Sequence, residues 1–187
     1  TLKDSMNVIS KLSALVLAAV ILSSTACSIV APDAGQKAVL IDKPILFGHG
    51  GVRQKPVDTG LTYTWFSIQK VYVNMLPQQF DGAFNDLMSS DGVPLDFHAV
   101  MRVQVTDPVA LVEKFGTDWY KNNVEQEFVN RVRAAGKKHG MNETAIQTTA
   151  IDEIDKEVTK EMSGYFSSNN IPVKLIKITV GRANPPD

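Results

Sequence analysis

The sequence predicts an α+β fold, with a strand-rich part over residues 38–107 and a helix-rich part over residues 108–187. Three observations predict it. Leu95, Phe97, Ala99, Met101, Val103 and Val105 alternate with Asp96, His98, Arg102 and Gln104, and only Val100 breaks the pattern. That period of two marks a strand with one buried and one wet face. After Asp107-Pro108 the apolar spacing lengthens to that of helices, and it shortens again only at Ile171.

The N-terminal residues read as a targeting segment. From Met6, a plausible true start, a short region with Lys11 leads into apolar Leu12 to Leu22, then into Ser24-Thr25-Ala26-Cys27. This is the plan of a secretory signal. Three readings stay open. Cys27 after small residues resembles the lipid acceptor of a bacterial lipoprotein, although Ser24 stands where that motif usually carries Leu. Ser24-Thr25-Ala26 also suits a general signal peptidase, with Cys27 a bystander. Leu12 to Val30 is also nearly long enough for an uncleaved helix across a bilayer. In the lipid and span readings Lys3 and Lys11 keep the N-terminus cytoplasmic, so the folded part lies on the periplasmic side. Residues 1–27 are thus assigned to the signal or membrane anchor. Residues 28–37, with Pro32 and Gly35 among small side chains, are assigned to a tether.

The remaining elements follow in order. Ala38 to Phe47 is β-rich but broken at Asp42-Lys43-Pro44, and because proline cannot donate to a ladder it reads as an edge strand or a strand pair with a bend. Gly48-His49-Gly50-Gly51 is a turn, and Thr62 to Phe66 a short strand. Gln69 to Phe80 alternates around Val71, Val73 and Met75, and Asp91-Gly92 signals a hairpin into the long strand. Asp107 caps a helix over Val109 to Phe115, which Gly116 ends. Asp118 is expected to cap one longer helix reaching about Lys138, with Val124, Phe128, Val132 and Ala135 as its apolar stripe. Gly136 and Gly140 close it, and Asn142 with Glu143 begins a further capped segment. A third helix carries Ile151, Ile154, Val158 and Met162 and ends at Asn169-Asn170. In the last strand, Ile171 to Val180, the apolar phase slips between Leu175 and Ile176, which predicts a bulge. Asn184-Pro185-Pro186 stops regular structure.

Composition removes several functions. The 187 residues carry 19 Lys+Arg against 20 Asp+Glu, which gives no general drive towards nucleic acid. One cysteine excludes an internal disulfide framework and a cysteine-based zinc cluster. His49, His98 and His139 lack paired metal spacing. Gly48-His49-Gly50-Gly51 lacks the Lys-Ser/Thr of a phosphate loop, and no Gly-x-Ser-x-Gly elbow is present. Asp152-Glu153 and Asp155 read as a solvated helix face, and Lys137-Lys138 as a favourable charge at a helix end, with lipid-headgroup contact as the alternative. Trp65, Phe66 and Trp119 read as core, with a membrane-facing Trp65-Phe66 as the alternative. No catalytic, cofactor or metal residue is assigned; the one site residue is Cys27, for lipid attachment.

From about Ala34 to Asp187 the chain resembles the SPFH (band 7) domain of stomatins, prohibitins and flotillins. The residues that carry the resemblance are Ser89-Ser90-Asp91-Gly92-Val93-Pro94, the alternating strand, Arg102-Val103, Thr106-Asp107-Pro108, Val132-Arg133 and the run from Ile171 to Pro186. Thr59-Gly60-Leu61 stands where the family has Pro-Gly-Leu. The resemblance implies an antiparallel sheet subdomain followed by a helical α/β subdomain. It also implies a non-enzymatic membrane scaffold that self-associates, organises lipids or partner proteins, and in some members modulates a membrane protease. Relatives continue past Pro-Pro into a charged coiled coil that drives ring assembly, whereas this sequence stops at Asp187. A periplasmic adaptor without ring assembly is the alternative function, and a protease-associated hydrolase the third.

Overall fold

The computed structural model describes residues 27–45, 48–88, 90, 92, 94–139 and 148–181. The targeting run Leu12 to Leu22, the segment begun by Asn142 and the terminal Asn184-Pro185-Pro186 lie outside them, as do Ser89, Asp91 and Val93 of the hairpin.

Among the described residues every strand pairing is antiparallel, in three small sheets. β1 (Cys27–Val30) pairs with β4 (Thr62–Trp65) as a two-stranded ribbon. β2 (Gln36–Asp42) lies between β3 (Gly51–Val52) and β5 (Ile68–Asn74). β6 (Gln78–Met88), β7 (Pro94–Val105) and β8 (Val173–Val180) form the third sheet, with β7 central. Between β7 and β8 come α1 (Pro108–Phe115), α2 (Trp119–Asn123), α3 (Glu125–Gly136) and α4 (Thr148–Ser168).

Residues 28–37, expected as a tether, are not one: β1 already occupies Cys27–Val30, and Val30 is fully buried. With Ala38, Leu40 and Ile68 it forms a small core, against which Val57 packs. The opposite side of the same sheet sends Val39, Val71 and Val73 into the main core. The middle sheet is therefore covered on both faces, which is why Ala38-Val39-Leu40 is an unbroken apolar run. β2 stops at Asp42, at the Asp42-Lys43-Pro44 break, but it is the central strand of its sheet rather than an edge strand, because Pro44 falls beyond its last paired residue. Arg53 clamps the Asp42 carboxylate there through its Nε and a terminal nitrogen.

Gln69 to Phe80 is two strands of different sheets rather than one. Pro77 has no N–H for a ladder, and the Asn74 side chain accepts the Leu76 N–H at 2.9 Å, turning the chain before β6. The central strand behaves as its alternation predicts over its described side chains: Ala99, Met101, Val103 and Val105 are buried, while His98 and Arg102 are exposed. The bulge is also where the phase slip places it. Arg102 faces Lys177 and Val103 faces Leu175, which leaves Ile176 as the extra residue on β8.

α1 follows its sequence signals. The Asp107 side chain accepts the Val109 and Ala110 N–H groups at 2.9 and 3.0 Å, Pro108 takes the first turn, and Gly116 ends the helix with φ 74°. The expected long helix from Asp118 is instead split at Val124 into α2 and α3. Asp118 makes no side-chain cap, and the Asn123 carbonyl accepts the Tyr165 hydroxyl of α4 at 2.7 Å at the break. Trp119 and Tyr120 of α2 pack on Phe80 of β6, Trp119 edge-on and Tyr120 stacked at 3.8 Å. Burial there pushes the Tyr120 hydroxyl up to about 12.

α3 buries Phe128, Val132 and Ala135, and α4 buries Ala150, Ile154, Val158, Met162 and Phe166. This spacing of four puts one stripe of each helix on the third sheet and on each other. Arg131 ties the pair together, contacting Glu127 of its own helix, Glu161 of α4 and the face of Tyr165. Asn170, in the left-handed conformation with φ 52°, ends α4 and turns the chain into β8.

Candidate functional site

Cys27 is the first residue of β1, exposed and carrying a free thiol. Its cross-strand partner is Trp65, and the next pair on the same face is Ile29 with Tyr63. Ser28 with Thr64 and Val30 with Thr62 share the opposite face. Lys70 of β5 reaches under β1, donating to the Ser28 hydroxyl and, at 2.6 Å, to the Ile29 carbonyl. These contacts hold β1 onto the middle sheet from its inner side.

The aromatic residues separate sharply. Trp119 is core, as expected, with 7 % of its surface exposed. Trp65 and Phe66 are not core: they are 65 % and 60 % exposed. The alternation Thr62-Tyr63-Thr64-Trp65 fits a strand with either face inward, and composition alone cannot choose between them. Val30 settles the choice, because its burial turns the Ser/Thr face in and the aromatic face out.

The three histidines lie on separate parts of the chain. His49 lies in the turn before β3, His98 on β7 and His139 after α3. Among the described residues no three His, Cys, Asp or Glu side chains come close enough to hold a metal ion. Lys138 is paired with Glu157 of α4, so this end of α3 is joined to the neighbouring helix by an ion pair.

Asp155 corrects its sequence reading. It does not lie on a solvated face with Asp152 and Glu153. Its carboxylate is half-buried and accepts the Val180 N–H at 2.7 Å, tying the end of β8 to α4. Sequence gives no sign of this, because the contact spans 25 residues. Burial raises the Asp155 carboxyl above its ordinary value, although the Val180 hydrogen bond and Lys177 pull the other way. A raised folded-state value means that the folded form holds the proton more tightly. Ionisation of Asp155 therefore weakens the fold as pH rises from the usual carboxylate range through the raised value. Asp155→Asn keeps an acceptor for Val180 and removes the charge. The variant is expected to be more stable than the parent at pH 7, with the gap closing in acid below the ordinary aspartate range. Urea midpoints at both pH values check this, and a gap that persists in acid would refute it.

Antiparallel strands closed by a helical layer, with polar side chains engaged in caps and ion pairs, define a domain of the α+β class. A family model described as SPFH domain / Band 7 family matches residues 33–187, and the chain belongs to that family. Its members are in general membrane-associated, self-oligomerising and non-enzymatic scaffolds. No curated protein sequence matches the chain. Among the described residues no helix is long and apolar enough to cross a membrane.

Proposed function

We propose that this chain is a non-enzymatic, membrane-anchored scaffold whose SPFH domain is held by its N-terminus on the periplasmic side. There it self-associates and organises membrane lipids or partner proteins, a membrane protease among the candidates. The observation that carries this reading is the family match over residues 33–187 directly after the apolar Leu12 to Leu22 and Cys27. Cys27 is the proposed lipid acceptor, and Leu12 to Leu22 the targeting segment. An exposed thiol on the first residue of β1 supports that role, because an acylating enzyme needs access to it. Anchorage there would leave almost no slack between bilayer and fold, as suits a scaffold that lines up copies on a membrane plane.

Light scattering on the full chain extracted from host membranes in mild detergent tests the assembly. An oligomer of many copies is expected. A stable monomer would favour the second reading, a periplasmic adaptor that works without ring assembly.

A further inference from the structure

The β1–β4 ribbon turns its large side chains outward. Its other face carries buried Val30, half-buried Ser28 and Thr64, and exposed Thr62. Its outward face carries Cys27, Ile29, Tyr63 and Trp65, with none of the four charged. Ile29, Tyr63 and Trp65 are 52 %, 67 % and 65 % exposed. Leu61 and Phe66, the residues just before and just after β4, are also exposed, at 61 % and 60 %. Scattered exposed apolar residues are ordinary, but a whole strand-pair face of them marks an interaction surface.

The position of this face in the chain selects its occupant. Only Ser23 to Ala26 separate the apolar Leu12 to Leu22 from Cys27. Fully extended, the path from Leu22 to Cys27 covers at most about 18 Å. A lipid on Cys27 would bring the ribbon closer still, since the thiol leaves from the same face as Trp65. Trp and Tyr are the side chains that settle at the headgroup level of a bilayer, with the ring in the apolar boundary and the N–H or O–H towards water. The four outward side chains of the ribbon are uncharged, which fits that boundary.

We propose that the outward face of the β1–β4 ribbon, through Ile29, Tyr63 and Trp65, docks on the lipid bilayer at the headgroup–acyl boundary. The inference rests on the anchored reading above and adds a second, lateral contact to it. The domain is thereby fixed in orientation on the membrane as well as tethered to it.

Tryptophan fluorescence tests this. The chain has two tryptophans, and Trp119 is buried, so Trp65 supplies the component that responds to surroundings. The full chain is reconstituted into phosphatidylcholine vesicles whose acyl chains carry bromine near the headgroup. Trp65→Phe, a change at an exposed position, isolates Trp119 as the reference. The parent is expected to show blue-shifted Trp65 emission that bromolipid quenches and aqueous iodide does not. The variant is expected to lose that bromolipid response. Vesicle-bound protein whose Trp65 stays red-shifted and open to iodide would overturn the docking inference while leaving the anchor intact. Blue-shifted emission that bromolipid does not quench and that disappears on dilution would also overturn it, assigning the face to a second copy of this chain. Protein that fails to float with the vesicles would overturn the anchor and the docking together.

Discussion

Phe128→Ala is expected to destabilise the domain by about 3–5 kcal/mol, the usual cost of truncating a fully buried aromatic. Phe128 is 0 % exposed and sits where α3 crosses the third sheet. Its ring meets Phe84 of β6 edge-on at 6.0 Å. Gly82 lies beneath both rings: a Cβ there would stand 2.8 Å from Phe84 and 3.4 Å from Phe128. The glycine is needed because the two rings occupy the space that a side chain would fill. The same tight fit prevents collapse around an alanine at 128, so the lost contacts are not replaced. Urea unfolding of parent and variant measures the difference. A loss below about 1 kcal/mol would mean that the helices do not pack on this sheet as described.

Cys27→Ser is expected to abolish acylation and to release the chain from its lipid-dependent membrane attachment. The hydroxyl matches the thiol in size and leaves β1 and its pairing with β4 in place. Metabolic labelling with a radioactive fatty acid, followed by membrane fractionation, reads both effects. Label retained in the variant would remove Cys27 from its proposed role. An unlabelled parent that nevertheless stays in the membrane would transfer the anchor to Leu12 to Leu22 as an uncleaved span.

Signals that act within a few residues were legible. Asp107-Pro108 starts a helix because the cap and the first turn are neighbours in the chain. The phase slip at Leu175-Ile176 is a bulge because strand periodicity is a local property. The α+β order followed from the same local periods. What depends on distant partners was hidden. Gln69 to Phe80 alternates well enough for one strand, and only Pro77 and the Asn74 side chain divide it between sheets. The α2–α3 split sits where the Asn123 carbonyl meets Tyr165, 42 residues on. Asp155 resembles its solvated neighbours until β8 returns beside α4.

The candidate site shows the same division. Cys27 after small residues was visible as a feature of the sequence. That it opens a strand, rather than a tether, follows from Val30 finding Ala38, Leu40 and Ile68 in a different sheet. The outward turn of Trp65 depends on that same burial, which the alternation Thr62-Tyr63-Thr64-Trp65 does not reveal.

The intact mass of the protein taken from host membranes tests membrane anchorage at Cys27 most directly. The account predicts a chain beginning at Cys27 and carrying added acyl mass. A chain recovered from the soluble fraction, starting after Ala26 and bearing no acyl group, would contradict it.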